Sequence, residues 1–114
     1  MTLPITPELL RASYDFLCAT PPLERWDLPR GEDVVFKVTR SRKTQGDHLL
    51  LNGVHTIRVS CVKVGHTASL LALMAHEMVH VACDLKGVRS EHGASFRKRA
   101  KMVCRYHGFD PAEF

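Results

Sequence analysis

Residues 67–96 read TASLLALMAHEMVHVACDLKGVRSEHGASF, and this run decides what fold the chain can make. Leu70, Met74, Met78, Val81 and Leu85 recur at helical spacing. That predicts a helix from about Ala68 to Leu85, with Thr67 as its cap and Gly87 as its stop. Ala72, Ala75, Val79 and Ala82 make most of the remaining circumference apolar, so the helix is expected inside the domain. Set into this apolar cylinder are two imidazoles and a carboxylate, His76, Glu77 and His80. Without partners such groups are costly to bury.

Their spacing supplies the partner. His76 and His80 are four apart, so their side chains stand one above the other with Cβ atoms roughly 5–6 Å apart. Both rings can reach one zinc at about 2.0–2.1 Å. Glu77 is turned about a third of the way round the helix and faces a water on that metal. This is the physical content of HExxH: two ligands and a general base on one rigid turn. A histidine-rich core helix, the plain alternative, leaves all three groups unpaired. Zinc needs a third protein ligand, and a catalytic site keeps its fourth position for water. The metzincin extension wants glycine at 83 and histidine at 86, where this chain has Cys83 and Lys86, and is excluded. His92 is the candidate, with Gly93 beside it to free the backbone. Glu91 is its rival and Asp84 a lesser one. Asp84 shares the face of His80 and could instead orient an imidazole from outside the ligand set.

Outward from this helix, Thr6-Pro7-Glu8 starts a helix over about 7–19. Prolines 21, 22 and 29 and Gly31 make a connector that Trp26 anchors to the core. Val34 to Arg40 reads as a strand, followed by a polar loop to Gly46. Asp47 to Leu51 and Val54 to Ser60 flank Asn52-Gly53, the dipeptide suited to a type I′ hairpin turn. A last helix, about Ala94 to His107, turns Phe96, Ala100 and Val103 inward and stops at Gly108. The expected fold is a single α+β domain over residues 1–114: a small antiparallel or mixed sheet packed on the buried HExxH helix, flanked by N- and C-terminal helices.

With 114 residues, 45% hydrophobic and 25% charged, the chain has ordinary globular composition, which suggests neither disorder nor a membrane protein. MTLPITPELLRAS lacks the regions of a signal peptide and no unbroken apolar run approaches a membrane span, so a soluble monomer of the cytoplasm, nucleoid or nucleus is expected. Cys18, Cys61, Cys83 and Cys104 contain no CxxC pair and read as reduced thiols, mostly buried. The net charge of +4 is compatible with nucleic acid without deciding for it. On the last helix Arg97, Lys101 and Arg105 form one row, with Lys98 and Arg99 beside it. That row suits DNA phosphates or a solvated face equally. His48, His55, His66 and His107 read as surface or structural. Neither Tyr106 nor His107 can be placed as an oxyanion stabiliser.

HEMVH at 76–80 followed by His92-Gly93-x-x-Phe96 resembles the HExxH…HGxxF signature of SprT-like zinc metallopeptidases, a family that includes the Spartan proteases. Thr56-Ile57-Arg58-Val59-Ser60 is similar to the family's IRLS-type strand, and Lys43-Thr44-Gln45-Gly46 falls where its members often have a short turn. The resemblance covers about Val34 to Tyr106 and favours His92 over Glu91. It implies a zincin-like domain whose members include DNA-dependent proteases acting on proteins crosslinked to DNA. It also implies that Asp47 to Leu51 forms the cleft rim and adds substrate as a strand. With no CxxC pair after the last helix, a minimal form without the C-terminal zinc ribbon is expected. The expected activity is zinc-dependent endopeptidase cleavage of protein or peptide substrates. His76, His80 and His92 hold Zn2+, Glu77 activates the zinc-bound water, and Arg97, Lys98, Lys101 and Arg105 offer a DNA contact. The alternative is a non-catalytic DNA-associated or adaptor domain whose structural zinc is closed by Cys83, Asp84 or Glu91.

Overall fold

The computed structural model describes residues 4–87 and 92–114. Helix α1, Pro7–Cys18, begins as expected: Leu9 N–H donates to Thr6 Oγ1 at 3.1 Å, with proline in the first turn. Leu10, Tyr14 and Leu17 are fully buried. The Tyr14 hydroxyl donates to the Pro29 carbonyl at 2.6 Å, which ties the proline-rich connector to the core. Trp26 packs there too, partly buried.

Strands β1 (Val35–Thr39), β2 (Gly46–Leu51) and β3 (Val54–Ser60) form a sheet in the order β1-β3-β2. Asn52 and Gly53 have φ of 50° and 78°, the left-handed pair that a type I′ turn demands. The turn fixes the antiparallel register at Leu51↔Val54 and carries it to His48↔Ile57 and Gly46↔Val59. β1 joins the other side of β3 in parallel, so the sheet is mixed and β2 is an edge. Ser60, fully buried, closes the sheet. Its Oγ donates to the Ser41 carbonyl at 2.7 Å and accepts from the N–H groups of Val62 and Lys63. One hydroxyl thus fixes both the β1–β2 loop and the approach to the next helix.

Helix α2, Thr67–Leu85, has His66 and not Thr67 at its N-cap, with no side-chain hydrogen bond there. Thr67 is instead the first helical residue, one position inside the expected cap. Leu70, Met74, Met78, Val79 and Val81 are buried as the spacing predicts, whereas Leu85, in the last turn, is 46% exposed. By length and a mean hydropathy of 1.3 this helix could cross a membrane. His76, Glu77 and His80 interrupt its apolar sequence. Half of that window is buried within the fold, against α1, β2 and helix α3, Ala94–His107. α3 turns Phe96 and Val103 inward and ends at Gly108, whose φ of 78° is the left-handed C-cap. The four cysteines are free, Cys83 and Cys104 buried and Cys18 and Cys61 half-buried.

Candidate metal centre

One turn of α2 and the residue that leads into α3 bring three imidazoles together. The ring centroids of His76, His80 and His92 are separated by 5.0, 5.1 and 5.0 Å, a near-equilateral triangle. Each ring can offer one nitrogen such that all three lie within 4.8 Å of one another. His76 Nε2 and His92 Nε2 are 3.3 Å apart, which is about the edge of a tetrahedron with metal–nitrogen bonds of roughly 2.0–2.1 Å.

The third corner depends on an unusual backbone. His92 has φ of 74°, the left-handed region that a residue with a side chain seldom adopts. Gly93, expected to supply the conformational freedom, has φ of −77° as the N-cap of α3, a value open to any residue. The turn is therefore made by the histidine itself. Glu91, the rival ligand, lies outside the described residues.

Phe96 sets the orientation of the cluster. Its buried ring lies 5.0, 4.6 and 4.8 Å from the centroids of His76, His80 and His92, so one apolar plate supports all three. Phe114 adds a second contact to His76 at 5.3 Å. Sequence periodicity places Phe96 inward but has no means of finding Phe114, which approaches from outside any regular element.

Burial and mutual repulsion lower the proton affinity of His76 and His80, which favours the neutral form a ligand needs. His80 is pushed down to about 4, first by desolvation and then by His76, His92 and His48. His76 is lowered by desolvation and by His92, against a smaller opposing hydrogen bond with the Phe114 backbone. Glu77 is only 3% exposed, and its carboxyl is pushed up to about 8, mainly by desolvation and then by Asp47. Three imidazoles beside a buried carboxyl form a donor set that fits zinc.

His76 and Glu77 line a cleft of about 910 Å3 whose walls are Thr44–Gly46, the first turns of α2 and residues 108–114. Gly46 makes this wall possible. A Cβ there would stand 2.7 Å from the Arg58 carbonyl oxygen and 3.1 Å from Leu73, so glycine lets β2 lie this close to the β3 backbone and to α2. Asp47, next along the strand, accepts a two-pronged contact from Arg58 on β3, with Nε to Oδ1 at 2.6 Å.

The remaining candidates are engaged elsewhere. Asp84 does not orient His80 through any described contact; its carboxylate is 3.7 Å from His48 Nδ1. Cys83 is buried with its thiol on Ser95 at 3.8 Å. His48 and His55 are buried and face each other at 2.8 Å. His66 is exposed at the start of α2. His107 pairs with Thr20 on the α1 side at 2.9 Å, and Tyr106 is 57% exposed. No curated protein matches the chain significantly. The SprT-like family model matches residues 24–112, a span that holds the whole sheet, all three clustered histidines and Glu77, and the chain belongs to that family of zinc-associated, metallopeptidase-like domains.

Proposed function

We propose that this domain is a zinc-dependent endopeptidase of zincin-like design, with His76, His80 and His92 as ligands and Glu77 as the catalytic residue. The observation that carries the proposal is the triangle of imidazoles with a buried carboxyl on the adjoining helical position. Zinc held there supplies Lewis acidity, lowering the pKa of water and polarising a carbonyl. The chain's residues do the rest. Glu77 accepts the proton of the attacking water on its carboxylate and later delivers it to the leaving amine. Burial, which raises the proton affinity of this group, makes it the stronger base. The peptide lies in the cleft beside edge strand β2, whose outer backbone groups are available to an added strand.

A structural, non-catalytic zinc has less support. It needs a fourth protein ligand, and among the described candidates Cys83 contacts Ser95 while Asp84 groups with His48 and His55 and not with the triangle. It also gives Glu77 no task. The two readings separate in one experiment on purified protein, measuring zinc content and cleavage of an unfolded protein substrate. Glu77→Gln should retain zinc and lose cleavage by roughly 10²–10⁴-fold, the usual worth of a general acid–base group. His92→Ala should lose most of its zinc. Full activity in Glu77→Gln, or unchanged zinc in His92→Ala, rejects the assignment.

A further inference from the structure

A second set of donor atoms converges on the same helix, outside the triangle. His48 on β2, His55 on β3 and Asp84 in the last turn of α2 each offer an atom within 4.8 Å of the others. His48 Nε2 meets His55 Nδ1 at 2.8 Å. The two rings are 18° from parallel with centroids 5.0 Å apart. With so short a contact, that centroid distance means they meet edge to edge, sharing one hydrogen.

The other edge of His48 is not satisfied in the same way. Its Nδ1 is 3.7 Å from Asp84 Oδ2, beyond the range of a hydrogen bond. It is, however, a separation that two ligands of one divalent ion can take: bonds of about 2.0–2.1 Å span it at an angle of roughly 125–135°, wider than tetrahedral and open to closure by a small side-chain shift. When His48 donates Nε2–H to His55, its Nδ1 turns a lone pair toward the Asp84 carboxylate. Two electron-rich atoms then face each other across a gap, and a cation resolves that arrangement. A ligating histidine whose other N–H is held by a neighbour is the usual way a metal site fixes its tautomer.

We propose that His48 and Asp84, with His55 holding the His48 ring, form a second site for a zinc-class divalent cation. Imidazole plus carboxylate is a borderline donor set suited to zinc and cobalt, and Asp84 offsets part of the ion's charge. The His48 side chain is 6% exposed and that of Asp84 30%, so the site is shaped by the fold yet reachable from solvent. Two protein ligands make it weaker than the three-histidine site. It fills after that site does, in excess metal. Asp84 follows His80 by four residues, so the second ion sits about one helical turn beyond the first and ties edge strand β2 to α2.

The test is equilibrium dialysis of the metal-free chain against zinc, and separately against cobalt, with bound metal and the thermal unfolding midpoint measured at each concentration. Wild type should reach two ions per chain, and its midpoint should keep rising after the first equivalent. His48→Ala and Asp84→Asn should stop at one ion and lose that later rise. His55→Ala should weaken the second ion by about 10–100-fold. His76→Ala/His80→Ala should lose the first ion and keep the second. Asp84→Asn is nearly isosteric and partly exposed, so it reports on the site if His48→Ala fails to fold. Saturation of wild type at one ion, or two ions retained in Asp84→Asn, overturns the proposal.

Discussion

Glu77 meets opposite demands from folding and from chemistry. Its carboxyl is pushed up to about 8 by burial, so in the metal-free chain ionising it costs stability. Between the ordinary carboxylate value and 8 the unfolded chain has lost this proton and the folded chain still holds it, and stability therefore falls as pH rises. His76 and His80 act in the other direction. Their lowered values let the unfolded chain bind protons first as pH drops, so their contribution is lost below about 6.5. The histidines still titrate in the unfolded chain near 6.5, so Glu77 is isolated by comparing two proteins across the interval from about 6.5 to 8. In chelator, wild type should lose up to about 2 kcal/mol of unfolding free energy relative to Glu77→Gln across it, at about 1.4 kcal/mol per pH unit. Urea titrations of both proteins at both pH values decide. Equal slopes for the two proteins would mean that Glu77 is not the buried acid described. The clustered residues were legible in sequence because HExxH is a local pattern on one helix and His92-Gly93-x-x-Phe96 is short. His48, His55 and Asp84 were not, since three separate elements supply them. A signal did exist: the Asn52-Gly53 turn sets Leu50 opposite His55, which makes His48 and His55 diagonal neighbours on one face.

Among the elements, the edge strand β2 is positioned by absence of a side chain at its first residue. Gly46→Ala puts a Cβ 2.7 Å from a backbone oxygen of β3 and 3.1 Å from Leu73 of α2. Only the leucine end can give way easily, so the strand must shift against β3. Overpacking of this kind costs roughly 1–3 kcal/mol. Gly46→Ala should lower stability by that amount and raise the KM for peptide more than it lowers kcat, since the cleft wall moves while Glu77 stays. A thermal midpoint and KM both equal to wild type would show that the wall tolerates the methyl. The hairpin and its register could be read from Asn52-Gly53 and the alternating strands, and α1 from Thr6-Pro7-Glu8. The parallel pairing of β1 with β3 could not. It depends on α1 and α2 packing beside the sheet, and no local pattern in Val35–Thr39 distinguishes a partner before or after it. The cap of α2 was misplaced by one residue because Thr67 has the right chemistry, whereas the backbone extends at His66, with φ of −130°.

At the scale of the whole molecule the distribution of charge matters more than its sum. The chain carries +4, and Arg97, Lys98, Lys101 and Arg105 are all exposed on α3, the helix whose Phe96 supports the three imidazoles. Arg99 differs, because its guanidinium folds back onto Ser95 of its own helix. If that cationic row engages phosphates, DNA held there would raise the local concentration of any protein bound to it. Such contacts read phosphate and carry no sequence preference. DNA affinity should therefore fall steeply as salt rises. Arg97→Glu/Lys101→Glu should bind all sequences more weakly, with a flatter salt dependence, while cleavage of a free unfolded protein stays near wild type. Added DNA should speed cleavage of a DNA-binding protein by wild type and not by the double variant. Binding isotherms at several salt concentrations, with cleavage rates measured alongside, test both halves. Wild-type affinity in the double variant would mean that this face is only solvated, and stimulation by DNA without any loss in the variant would place the contact on another surface.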